Sequence, residues 1–189
     1  MSRTTSTLFC AVFLLILGCK KKVSEPAPFK FPFDGIATGH LNGLPWSAKV
    51  TAGYFVDNPK SFSLSIVTTD ERDQREHFLG ITAIPLIPEI DDTLYNFSYS
   101  EGITVDSPRL GAYYQRYFAN DDMTPQWMLD LSRPHTVKIA YDAVKQTITG
   151  SIEASFISPY DTMYAPWSRP VHFTELKFTS KVHHYDPGY

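Results

Sequence analysis

The stretch Thr147 to Phe156, TITGSIEASF, places Ile148, Gly150, Ile152, Ala154 and Phe156 at every second position. Successive side chains of a strand point to opposite faces, so this spacing sets an apolar row against a core and a polar row toward water. A helix would scatter the same residues around its circumference. The pattern recurs along the chain. SFSLSIVT alternates Phe62, Leu64 and Ile66 with serines, and HFLGITAI and TLYNFSYS follow, divided by the Pro-containing PLIPEIDD. RLGAYYQRYF reads as a long strand closed by Asn120-Asp121-Asp122. HTVKIAYD and QTITGSIEASFI read as a hairpin turning at Asp142–Lys145. Asn42-Gly43 lies between two extended runs and suits the positive φ angles of a type I′ hairpin turn. In the last run, PVHFTELKFTSKVHHY, the apolar parity shifts from Val171/Phe173 to Leu176/Phe178, which predicts a β-bulge near Glu175. The expectation is an all-β fold, an antiparallel sandwich or barrel of roughly eight to ten strands. One short helix is conceivable in DDMTPQWMLDL, against the presence of Pro125.

The first residues obey a different rule. Leu8 to Leu17 is an apolar run, and a helix of that length covers about 15 Å, half of a ~30 Å hydrocarbon core. It is too short to span. A polar start with Arg3, an apolar middle and the small Gly18 have the layout of a secretory signal, here a cleaved signal helix. The sequence ILGC, Ile16 to Cys19, resembles the bacterial lipobox, with Ile where Leu is usual. That resemblance implies cleavage between Gly18 and Cys19 and lipidation of Cys19. Cys10 leaves with the signal, so the mature chain keeps a single, acylated cysteine and forms no disulfide. Each buried methylene of the acyl chains adds about 0.8 kcal/mol to anchoring. Lys20 stands where an aspartate commonly retains such proteins in the inner membrane, which implies the outer membrane, at its periplasmic or cell-surface face.

Lys20 to Phe33 carries Pro26, Pro28 and Pro32 and reads as a tether. Extended as polyproline II it reaches about 40 Å. The domains expected are therefore residues 1–18 (signal), 19–33 (lipidated cysteine and tether) and 34–189 (one β domain). The chain has 17 Lys+Arg and 20 Asp+Glu, and loss of Arg3 moves its formal charge from −3 to −4. That balance gives nucleic acid no cationic footprint.

The lipobox, the early LNGLPW (Leu41 to Trp46), VKIAYDAVKQTITGSIEASF (Val137 to Phe156) and VHFTELKF are together similar to a group of uncharacterised all-β lipoproteins of Gram-negative bacteria. Glu175 or Leu176 replaces the glycine usual in that group's final strand. The resemblance implies fold and location. It carries no catalytic residue.

Enzymatic patterns are absent. There is no Gly-x-Ser-x-Gly elbow, phosphate-binding Gly-rich loop, His-Glu-x-x-His or Cys-x-x-Cys, and no thiol is left as a nucleophile. His183, His184 and Asp186, with His172 upstream, are metal-ligand types, but neighbours on a strand face opposite ways, and no metal or cofactor is expected. Asp91/Asp92 and Asp121/Asp122 read as turn residues rather than a glycosidase pair. Asp70, Glu71, Asp73 and Glu76 are interleaved with Arg72 and Arg75, which suits a solvated loop better than calcium. Asp92-Thr93-Leu94 and Asp161-Thr162-Met163 resemble a short O-glycosylation acceptor. Tyr160, Tyr164 and Trp167 lie in the Pro-containing loop SPYDTMYAPWSRP, where flat faces with polar edges suit a sugar or a partner surface; the alternative is that the loop folds back and its aromatics plug an end of the sandwich. Trp46, on the first hairpin, is expected in the core. The expected function is a non-enzymatic, lipid-anchored protein binding a glycan or protein partner. Rival readings are a lipocalin-like barrel carrying a small apolar ligand and a hydrolase without a recognisable motif.

Overall fold

The computed structural model describes residues 32–55, 60–69, 75–96, 109–116, 126–158 and 169–185. Among the described residues there are eleven strands and no helix. They are β1 (Gly35–Leu41), β2 (Leu44–Phe55), β3 (Ser61–Thr69), β4 (Arg75–Pro85), β5 (Glu89–Thr93), β6 (Tyr95–Asn96), β7 (Gly111–Arg116), β8 (Gln126–Leu129), β9 (Thr136–Asp142), β10 (Thr147–Ile157) and β11 (Val171–Tyr185). All belong to one sheet. Its pairings β11–β2–β3–β4–β7–β8–β10 return to β11 and form a ring. β9 continues the edge of β10 that β8 occupies further along, and β5 pairs with β9 beyond it.

Local chemistry explains the turns. Asn42 and Gly43 have φ of 52° and 78°, both positive as a type I′ turn requires. At the second hairpin the Asp142 carboxylate accepts from Val144 N and Lys145 N, each at 3.0 Å, and Gln146 takes φ 51° to re-enter the sheet. The bulge expected near Glu175 is present. Thr38 and His40 of β1 face Lys177 and Thr174, so Gly39 opposes two residues, and β10 shows the same slip between Ile152 and Ala154. Glu175 itself has φ 52°.

Two pairings are parallel, where the alternation pattern alone led to an antiparallel expectation. The larger follows from connectivity. β1 is antiparallel to both β2 and β11, so those two run the same way. Where β1 begins, at Gly35, β11 meets β2 directly through Val182–Tyr185 and Ala52–Phe55. Two further differences concern short segments. PLIPEIDD is no plain spacer: it contains β5, which buries only Ile90. DDMTPQWMLDL yields the strand β8 at Gln126–Leu129, where Trp127 and Leu129 face inward.

The ring encloses the core. Trp127, Tyr114, Phe62, Phe156 and Phe173 are fully buried. Tyr114 packs 5.7 Å from Trp127, 5.7 Å from Phe156 and 5.6 Å from Phe173 between ring centres. Trp46, expected in the core, is half-buried and packs against it, meeting Phe173 edge-on at 5.1 Å. Aromatic side chains from β2, β7, β8, β10 and β11 thus fill the interior, as in small closed sheets whose bore is only side-chain wide.

Candidate functional site

Gly18, Cys19, Tyr160, Tyr164 and Trp167 lie outside the described residues, as do Asp70, Glu71, Asp73, Asp121, Asp122, Asp161 and Asp186. What the structure does describe is the surface from which residues 158–170 leave the sheet. Ile157, at the end of β10, pairs with Met128 of β8, and both are exposed, at 40% and 49%. Leu131 is 76% exposed in the following turn. Asp130 N–H holds that turn to β10 by donating to Ser155 O at 2.9 Å. Three apolar side chains therefore stand in water around one strand end.

The turn is pinned by a polar cluster. Asp130 accepts from the N–H and hydroxyl of Ser132, which with Arg133 holds its carboxyl below the usual range. His135 is buried. Its Nε2–H donates to Asp130 O at 2.8 Å, leaving Nδ1 to accept from Ser155 N at 3.4 Å. The Ser155 hydroxyl lies 3.0 Å from His172 Nδ1. Burial, with Arg133 acting the same way against Asp130, holds His172 below its ordinary value, so the ring is neutral near pH 7. A hydroxyl beside a neutral imidazole has the composition of a nucleophile and base. Here Ser155 is only 8% exposed, beneath the turn, and its N–H, C=O and hydroxyl are all engaged. The arrangement fastens the turn to the sheet.

The other histidines separate. His183 Nε2 meets Asp34 Oδ2 at 3.0 Å, and Asp34 Oδ1 accepts from the Ser180 hydroxyl at 3.2 Å. His184 Nε2 meets the Tyr54 hydroxyl at 2.6 Å. Among the described residues no three His, Cys, Asp or Glu side chains converge as a metal site would need. Asp91 and Asp92 stand on β5 rather than in a turn. Asp91 Oδ2 pairs with Lys138 Nζ at 2.9 Å, and Asp92 Oδ1 accepts from Thr93 N at 2.7 Å. That second bond occupies an N–H of an edge strand, a local guard against stray pairing.

Inside the ring the Tyr114 hydroxyl and His77 Nδ1 share a hydrogen bond. Burial, helped by Arg116, lowers His77 to about 4. Burial likewise raises Tyr114, so both stay neutral and the bond is preserved at ordinary pH. The Trp127 indole N–H and the Thr68 hydroxyl are buried without a partner among the described residues.

A groove of about 800 Å3 crosses β5, β9, β10 and β11 on the outside of the sheet. Glu89, Asp91, Lys138, Ala140, Thr149, Ser151 and Lys177 are exposed or half-exposed along it, while Ile90, Ile139 and Phe178 between them are buried. Sequence reasoning missed this groove because its residues come from four strands. It also missed His135 and Ser155, because nothing local marks a buried polar pin. No family model, curated protein or solved structure matches this chain.

Proposed function

We propose that the chain is an outer-membrane lipoprotein, anchored through an acylated Cys19, whose β domain binds a glycan or protein partner without catalysing a reaction. The anchor reading rests on ILGC, on the ten-residue apolar run before it and on the Pro-containing tether behind it. The binding reading rests on one observation. Met128, Leu131 and Ile157 are exposed together at the strand end that leads into residues 158–170, which carry Tyr160, Tyr164 and Trp167. Exposed apolar side chains are the makeup of a recognition patch, and Trp and Tyr are the residue types such patches favour. The aromatic filling of the ring favours a surface partner over a ligand carried inside.

Two experiments test the reading. Cys19→Ala is expected to move the protein from the membrane to the soluble fraction, and unchanged retention refutes the anchor. The double change Tyr164→Ala, Trp167→Ala is expected to abolish capture of the partner or glycan while leaving the melting temperature unchanged. An equal loss of stability would instead make these aromatics part of the core.

A further inference from the structure

The outer groove has an ordered charge pattern. Strand register places Asp91, Lys138, Ser151, Lys177 and Thr38 in one row across β5, β9, β10, β11 and β1. Glu89, Ala140, Thr149 and Thr179 form the row beside it. Both rows face outward, because the residues between them, Ile90, Ile139 and Phe178, are buried. Acid therefore sits at the β5 end of the groove, cations at β9 and β11, and hydroxyls between. Neighbouring strands lie about 4.8 Å apart, so Asp91 and Lys177 are separated by roughly 14 Å across three gaps.

The polar groups along this row differ in occupancy. Lys138 is held by Asp91 at 2.9 Å. The Lys177 ammonium and the Ser151 and Thr149 hydroxyls have no hydrogen-bond or ion-pair partner among the described residues. A ligand filling the groove must then offer an anion at β11, hydroxyl or carbonyl oxygens at β10, and hydroxyl donors to Glu89 and Asp91. A neutral apolar molecule offers none of these. A peptide strand finds no open edge on β9, β10 or β11, which are paired on both sides; on the edge strand β5 the Thr93 N–H is taken by Asp92, and the exposed apolar side chain in register with the second row, Ile36, lies beyond the groove on β1. A polyphosphate would meet Glu89 and Asp91.

We propose that the groove binds an acidic sugar, its carboxylate seated on Lys177 and Ser151 and its hydroxyls directed to Asp91 and Glu89. This rests on the binding reading above and names a ligand class for a second surface, independent of residues 158–170. Calorimetric titration of the mature protein in detergent micelles with aldotriouronic acid, a trisaccharide with a single carboxylate, tests it. This acidic trimer is expected to bind, and the neutral trimer maltotriose to bind more than tenfold more weakly. Lys177→Gln is expected to weaken the acidic trimer about tenfold or more, the scale of one lost charge-assisted bond, with no change in melting temperature because the side chain is exposed. Unchanged affinity in Lys177→Gln, equal binding of maltotriose, or displacement by inorganic phosphate at the trimer's own concentration would each overturn the proposal. Partner capture that is lost with Trp167→Ala, together with no binding of the acidic trimer to the unaltered protein, would overturn the groove alone and leave the function proposed above in place.

Discussion

Gly39→Ala tests the bulge that lets β11 serve three neighbours. A Cβ on residue 39 would lie 2.7 Å from Leu176 Cα, 2.9 Å from Glu175 O and 2.9 Å from Leu176 N. All three are backbone atoms, so no rotamer change relieves the overlap. Ordinary contact begins near 3.4 Å, so β1 must retreat by about 0.7 Å from β11. Overpacking of this kind costs about 1–3 kcal/mol, and a stretched ladder bond adds about 1 kcal/mol. Alanine offsets roughly 0.5–1 kcal/mol by restricting the unfolded chain. The net expectation is a loss of about 2 kcal/mol, or about 4–8 °C in melting temperature for a chain of this length. Urea unfolding followed by tryptophan fluorescence, with a thermal scan beside it, gives both quantities. An unchanged or raised midpoint would refute the close approach of β1 to the bulge.

Glu175→Gly should act in the opposite sense. Glu175 holds φ 52°, a conformation costing an L-residue about 1–2 kcal/mol, and its ion pair with His40 is long (3.5 Å) and exposed, so a gain of about 0.5 kcal/mol is expected by the same denaturant assay. Thr68→Val removes a buried hydroxyl that has no partner while keeping its shape, and should raise stability by about 1 kcal/mol; a fall would mean that the hydroxyl is satisfied. Acid should weaken the fold in a defined window. His77 is lowered to about 4, so below pH 6.5 the unfolded chain takes up a proton that the folded chain refuses. Stability is then full above pH 6.5 and falls as pH drops toward 4, by about 2 kcal/mol after allowance for the part of the ring that water reaches. His172, also lowered, adds in the same direction, while Asp130 and Asp142 act only as their depressed carboxyls protonate at lower pH. His77→Gln should flatten the profile between pH 6.5 and 4.5, and an unaltered slope would exclude His77 as its source. Lys138→Ala breaks an exposed ion pair with Asp91 and should change unfolding by less than about 0.5 kcal/mol.

Strand identity was legible where the period was long. β3, β9, β10 and both halves of β11 could be read from alternation, and the parity change at Glu175 located the bulge, because a one-residue slip sends every later side chain to the other face. Turn chemistry located two hairpins, since Asn42-Gly43 acts through its own positive φ angles and the Asp142 carboxylate through N–H groups two and three residues on. β5 escaped notice because EIDDT has one buried residue and charges elsewhere, which reads as a loop. β8 escaped because four residues are too few to separate a strand period from a helical one.

The alternating pattern and the turn residues by themselves determined that this chain forms β-strands, and the resemblance of ILGC to a lipobox set what is expected of its first residues. Only the tertiary structure decided that the strands join in one ring rather than two stacked sheets, that β11 meets β2 in parallel, and that Ser155 and His135 fasten a turn. It also decided which charges share the outer groove, where Lys177 of β11 stands in register with Ser151 of β10, Lys138 of β9 and Asp91 of β5. The reason is range. Propensity and capping act over a few neighbouring residues, whereas register between strands as far apart in sequence as β5 and β11 is set by which apolar rows fit into one core.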